Sequence, residues 1–335
     1  MKLNHVLVTG GAGYVGSALI PVLLADGYKV TVYDICYFGS AHLPINHKNL
    51  RIITGDIRDT ACLSKAFETV DAVIHLACIS NDASFELNES LSTSINFDCF
   101  EPMVIAAKEA GVKRFIYASS ASVYGVSDAL EITEDHPLKP ITLYNEFKGM
   151  CEPLLMKYQD KHFTCVTVRP STVCGYAPRQ RLDLSVNILT SHAVNNGVIR
   201  VFGGSQRRPN LHIDDMVRLY GLFLTAESES IAGKVFNAGC ENASIMSIAE
   251  IVKEAVEFEL AESSPIQIIT EKSDDIRSYH VNSDKIAREL GFIPEFGIKK
   301  AVSDLCTAFS KDLLPESMTN TRYFNVQRMK ELNAK

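Results

Sequence analysis

The chain has no apolar run approaching the ~20 residues that a membrane span needs, so the sequence predicts no membrane partner. It has no excess of positive charge either: 33 Lys and Arg stand against 40 Asp and Glu, a net charge of −7. A surface of that sign does not attract nucleic acid as a whole, and any polyanion must be met by positive charge placed locally. No C-x-x-C pair occurs among the nine cysteines, and the nine histidines show no metal-ligand spacing. That predicts no zinc site and reads the cysteines as reduced, mostly buried thiols. No signal-like segment precedes the first strand-like run, which leads to the expectation of a cytoplasmic protein. Internal repeats and low-complexity linkers are also lacking.

What the chain does have is length and apolar content. It has 335 residues, 46% hydrophobic and 22% charged, enough for a full core in one large unit or two closely joined domains. Short apolar runs predict strands at residues 5–9, 29–34, 50–55, 72–76, 114–119, 164–169 and 234–238. Amphipathic stretches between them predict helices at 14–26, 60–67, 97–110 and 144–161. Near-continuous apolar strands joined by helices imply a parallel sheet covered on both faces. The expected fold is therefore α/β, a Rossmann-type doubly wound parallel sheet with a smaller α+β substrate domain. Residues 1–178 form the first part, with 211–238 returning to it, and 179–210 with 239–312 form the second. The tail, 313–335, is polar with a few aromatics, and the sequence leaves open whether it straps onto the surface or is disordered.

The first strand runs into Thr9-Gly10-Gly11-Ala12-Gly13-Tyr14-Val15-Gly16. Its glycines let the backbone turn tightly and approach a pyrophosphate, and the helix that follows offers free N–H groups and a partial positive charge. Strand before and helix after supply the context that a glycine pattern alone lacks. The second strand ends in Asp34, where a carboxylate can hold the adenosine ribose hydroxyls. An acid there repels a 2′-phosphate, so the expected cofactor is NAD rather than NADP. Asp56, at the end of the third strand, adds a second acidic position beside the expected adenine pocket.

Tyr144 and Lys148 form Y-x-x-x-K, one helical turn apart on one face. An ammonium beside a phenol stabilises the phenolate and lowers its pKa toward the range a general acid/base needs. The pair follows a serine-rich strand end, Ala118-Ser119-Ser120-Ala121-Ser122-Val123-Tyr124-Gly125. A serine hydroxyl there can hold the substrate oxygen that the tyrosine deprotonates.

Together these motifs, with His75-Leu76-Ala77 and Tyr144-Asn145-Glu146-Phe147-Lys148, resemble the extended short-chain dehydrogenase/reductases. Within them the chain is similar to the NAD-dependent epimerase/dehydratase group, over about residues 5–300. The resemblance implies catalytic roles for Ser120, Tyr144 and Lys148. It implies cofactor contacts at Gly10, Gly13, Tyr14, Val15, Gly16, Asp34, Asp56, Ile57, Leu76, Ala77, Asn96, Tyr144, Lys148 and Pro170. It implies a nucleotide-sugar substrate, met by Ser120, Thr172, Asn187, Arg208 and Arg277, and a homodimer formed through the helices around 97–110 and 144–160. Guanidinium groups suit the diphosphate because they bind it in bidentate fashion and stay charged.

The departures from the pattern are specific. Thr172 stands where the family often has asparagine, Phe147 replaces a small residue, and Pro153 and Pro21 fall inside predicted helices, where a kink is expected. The expected activity is an NAD-dependent nucleotide-sugar epimerase acting at C4 through a 4-keto intermediate. A 4-dehydrogenase or 4-ketoreductase uses the same motifs, and a non-catalytic dinucleotide sensor is the rival from another class. A 4,6-dehydratase is not expected, because Ala121 and Ser122 follow Ser120 where such enzymes place an Asp-Glu pair.

Overall fold

The computed structural model describes residues 3–127, 129, 131–260, 265–273, 278 and 280–333. In chain order its strands are β1 (His5–Thr9), β2 (Lys29–Asp34), β3 (Leu50–Thr54), β4 (Ala72–His75), β5 (Arg114–Ala118) and β6 (Thr164–Pro170). They continue with β7 (Thr172–Cys174), β8 (Val198–Phe202), β9 (Arg207–His212), β10 (Lys234–Ala238), β11 (Glu241–Ser244) and β12 (Gln267–Glu271). Seven of them form one parallel sheet in the order β10-β6-β5-β4-β1-β2-β3. Strand order reverses between β1 and β4. In a doubly wound sheet the crevice for a ligand opens at that point, beyond the carboxyl ends of the strands.

Strand residues alternate between two faces, and both faces are covered. Val6 and Val8 of β1 pack with Leu19 and Leu23 of the helix Tyr14–Ala25 and with Leu219 and Phe223 of the helix Ile213–Thr225. Leu7, between them, packs on the other side with Phe100 and Met103 of the helix Phe100–Glu109 and Leu155 of the helix Leu143–Met156. Burial on both sides is why these strands read as unbroken apolar runs. Beyond the sheet, a three-stranded sheet (β11-β9-β7) and a two-stranded one (β12-β8) accompany the helices Ser185–Asn196, Ile245–Glu259 and Ile298–Ser310. The tail is ordered: Tyr323 is buried, and Met329, in the helix Asn325–Leu332, joins the core on the Leu7 side.

Three local expectations are corrected. The run predicted as a helix from Phe97 opens as a π-helical turn, Ser94–Asp98, before Phe100–Glu109. The predicted helix at 144–161 ends at Met156. Pro21 and Pro153 interrupt neither helix, since both lie in continuous helical spans. Each removes one N–H, and Pro153 lies more than a turn beyond Lys148, so the Tyr144–Lys148 spacing is untouched.

The helix Leu143–Met156 is keyed to the sheet by a buried ion pair. Glu152 meets Arg169 of β6 at 2.6 Å, with both side chains about 95% buried. Glu152 also accepts from the Ser119 hydroxyl at 2.6 Å, and Arg169 donates to Tyr124 Oη at 2.7 Å. Removing one partner strands the other charge in the interior. Glu152→Gln should therefore cost about 3–5 kcal/mol, read as a lowered urea midpoint, whereas a change under ~1 kcal/mol would mean water reaches the site.

Candidate active site

The turn after β1 is made of glycine because no side chain fits. Gly10 has φ +70°, and a Cβ there would lie 2.6 Å from the backbone nitrogen of Ala77. A Cβ on Gly16 would lie 2.4 Å from the carbonyl oxygen of Gly11. Gly13 caps the helix Tyr14–Ala25, whose first turn has neither a side-chain cap nor an acidic residue. Its open N–H groups and positive dipole end make an anion site. At the end of β2, Asp34 accepts from the N–H groups of Ala12 at 2.9 Å and Cys36 at 2.7 Å. Burial raises its carboxyl pKa against the pull of those two donors. Asp56, beyond β3, is paired with Arg58 at 2.6 Å, which holds its carboxyl below the usual range.

One cleft gathers these groups with the acid/base pair. Its walls include Gly10, Gly13, Tyr14, Val15, Gly16, Asp34, Asp56, Ile57, Leu76, Ala77, Tyr144, Lys148 and Pro170. Tyr144 opens the helix Leu143–Met156, where Thr142 is the N-cap and also donates to Asp82 at 2.6 Å. Around the phenol lie Cys78, Asp82, Arg181 and the backbone N–H of Asn81. Burial, the largest influence, raises the phenol pKa well above the ordinary value, and Cys78 and Asp82 push the same way. Arg181 and the Asn81 N–H oppose them. The Lys148 ammonium, in the wall of the same cleft, donates to Ala118 O at 2.7 Å and lies over the Tyr117 ring. Arg181, which the sequence reading did not connect with the phenol, adds a cation that lowers the phenol pKa.

Other expected site residues fall outside the cleft wall. Asn96 sits in the π-helical turn with both ends of its amide spent on the backbone of Ile79, at 2.8 and 2.9 Å. It therefore braces the loop after β4, whose residues Leu76 and Ala77 line the cleft. Asn187 is fully buried, accepting from Gly175 N–H and donating to Arg181 O and Tyr14 Oη, which leaves its amide no free side. Ser120 caps a 3₁₀ turn, and its hydroxyl contacts that of Ser122 at 2.7 Å; the Ser122 hydroxyl in turn donates to Asn145. Thr172 is half-buried on β7, beside Val173, which does line the cleft. Arg208, on β9, donates to Arg207 O at 3.0 Å, and Arg277 lies outside the described residues. Phe147, the departure inside the Y-x-x-x-K segment, stacks on Phe97 at 5.0 Å between ring centroids.

The model of the NAD-dependent epimerase/dehydratase family matches residues 6–239. The chain belongs to this family. Among its relatives, the dTDP-D-glucose 4,6-dehydratase of Mus musculus is 31% identical, with 89% of this chain and 88% of that protein covered. The UDP-glucose 4-epimerase of Lactobacillus helveticus is 29% identical, with 87% and 92% covered. The solved structure of DesIV, a dTDP-glucose 4,6-dehydratase from Streptomyces venezuelae with NAD and TYD bound, superposes with a TM-score of 0.80 at 25% identity. It covers 92% of this chain and 97% of that one.

The protein is thus an NAD-dependent enzyme of the extended short-chain dehydrogenase/reductase type. Its cleft suits NAD on its own terms, because the glycine turn leaves the uncapped helix end bare and Asp34 closes the adjoining strand end. The sequence reading assigned no cofactor role to Arg179, Arg181, Asn325 or Met329, all of which line this wall.

Two outcomes test the acid/base assignment. Tyr144→Phe should lower kcat by about 10²–10⁴-fold, the range for a positioned proton-transfer group, while NADH titration stays within a few-fold of wild type. Turnover near wild type would remove the phenol from the chemistry. Asp82→Asn removes a negative charge that raises the phenol pKa. The phenolate then forms at lower pH, so the rising limb of the kcat–pH profile should move to lower pH; a shift the other way would place Asp82 in a different role.

Proposed function

We propose that the enzyme is a nucleotide-sugar 4-epimerase working through a 4-keto intermediate. The observation that carries this reading is the pair of residues after Ser120. Ala121 is buried, and Ser122 commits its hydroxyl to Asn145. Neither can act as a general acid or base near neutral pH. An elimination across C5 and C6 needs both, one at each end of a single bond. Epimerisation needs only one proton carrier and a cofactor that holds the hydride between two faces of the sugar.

In this mechanism Tyr144 takes the proton of the C4 hydroxyl and later returns it. The glycine turn, the helix end after it and Asp34 would hold NAD, which would supply the hydride acceptor and donor for C4. Ser120 holds the C4 oxygen; its present partner is another hydroxyl, which a substrate oxygen can replace without stranding a charge. Lys148, held by Ala118 O at the end of β5 and lining the same cleft, is assigned to keeping the tyrosine acidic and to the cofactor. Arg208 and Arg277 are assigned to the substrate diphosphate, and Thr172 to its surroundings. The same reading makes the enzyme a homodimer through the helices around 97–110 and 144–160, where Ile105 and Met150 leave apolar surface exposed.

One observation favours a second reading, dehydration: the Asp82 carboxylate bears on the Tyr144 phenol. It is a single acidic group, whereas elimination asks for two. Incubation with UDP-, GDP- and dTDP-hexoses, followed by mass spectrometry and chromatography against both C4 epimers, separates the cases. The expected product has unchanged mass and inverted C4. Loss of one water would overturn the proposal in favour of dehydration, and loss of two hydrogens would do so in favour of simple oxidation.

A further inference from the structure

The segment after β7 carries two arginines that the reaction scheme above does not use. Arg179 and Arg181 are more than 90% buried, and both line the cofactor cleft. Among the described residues, Nε of Arg179 and Nη2 of Arg181 have no hydrogen-bond partner. A buried guanidinium donor left unmade is costly, so a ligand acceptor in that cleft would relieve it. Charge tells the same story. Asp183 pairs with Arg181 at 2.8 Å, and among the described residues no carboxylate is in contact with Arg179. Burial, then the neighbouring Arg181 charge, press the Arg179 guanidinium down to about 9. The pair is a buried positive site awaiting an anion.

Its position says which anion. The backbone N–H of Arg179 donates at 3.0 Å to Ser17 Oγ, on the first turn of the helix whose open N-terminus faces the glycine turn. The Arg179 guanidinium also lies 3.6 Å from the centroid of Phe38, beyond β2, another residue of the cleft. The arginines are thus fastened to the end of the fold that accepts the dinucleotide's diphosphate.

What holds them comes from the tail. Asn325 uses every polar group it has: Oδ1 accepts from Arg179 Nη2 at 2.6 Å, the backbone N–H donates to Asp183 at 2.9 Å, and Nδ2 donates to Ser80 Oγ at 2.8 Å. Ser80 also accepts from Arg181 Nη1 at 3.3 Å. Four residues further on, Met329 packs into the same wall, and Arg328 donates to Tyr37 O at 3.0 Å.

We propose that Arg179 and Arg181 bind the diphosphate of the bound dinucleotide, and that the C-terminal helix, through Asn325, is the clamp that aims them and slows cofactor release. The inference is independent of which sugar the enzyme converts.

The test uses the full-length protein stripped of nucleotide. NADH binding is followed by fluorescence, NADH release by stopped-flow displacement, and UDP, GDP and dTDP binding by calorimetry. Arg179→Gln and Arg181→Gln should each weaken NADH binding roughly 10- to 100-fold, the scale of a lost charge-assisted bond. Each should also flatten the salt dependence of NADH affinity, which a purely structural lesion would not change. Asn325→Ala should speed NADH release about tenfold and leave the nucleoside diphosphates unaffected, while Lys330→Ala, exposed on the same helix, should change nothing. Should a glutamine variant fail to fold, Arg179→Lys keeps the charge, and an intermediate loss of NADH affinity would support the assignment. Unchanged NADH affinity and release would overturn the proposal. A loss of nucleoside diphosphate affinity with NADH intact would also overturn it, because the arginines would then serve the substrate.

Discussion

The Arg169–Glu152 ion pair is the constraint on which the rest of the site depends. It joins the Tyr144 helix to β6, and through Ser119 and Tyr124 it reaches the end of β5 and the turn that follows. Proton transfer requires the phenol to stand at one place relative to the cleft, within a fraction of an ångström. A helix packed only by apolar side chains can slide or rotate at little cost. One packed through a buried charge cannot, because each displacement separates two desolvated ions. The same network ties Tyr124 Oη to Asn237 of β10 at 2.7 Å, so the outermost strand is fixed by the bonds that fix the chemistry.

Around this frame the cleft divides its electrostatics. The uncapped helix end after the glycine turn contributes open N–H groups and a dipole, and Asp34 and Asp56 contribute negative charge at the ends of β2 and β3. Arg179 and Arg181 add positive charge to the same cleft, and Asp82 and Arg181 act in opposite senses on the Tyr144 phenol. The phenol therefore titrates under opposed influences, and its proton affinity is set by which charges are present at a given step. His75 plays no part in that titration. Burial and the nearby Lys148 push its imidazole down to about 3, so it stays neutral and packs on Tyr117.

The sheet was legible because its strands are covered on both faces and so carry uninterrupted apolar runs. Most of the expected cofactor contacts were legible because glycines, strand ends and Y-x-x-x-K are local patterns with fixed geometric consequences. What was not legible was long-range. Asn325 contacts Arg179 and Ser80 from 146 and 245 residues away, and no periodicity signals such a meeting. The π-helical turn escaped because one extra residue in a helical run leaves the apolar pattern almost unchanged, although it decides that Asn96 grips Ile79. Asn187 shows the reverse: the family resemblance marked it as a substrate contact, and in the fold its amide is taken up by Gly175, Arg181 and Tyr14.

The placement of Asn325 also bears on how the protein is made. A ribosome adds about 5–20 residues per second, so Asn325 follows Arg179, 146 residues earlier, by roughly 7–30 s. The glycine turn and β1–β6 are by then long since synthesised and able to pair. During that interval the nascent chain has a nucleotide cleft with one wall missing, open to exchange with the surrounding pool. A segment made well after the sheet completes the enclosure, so the order of synthesis places cofactor retention after the sheet has formed.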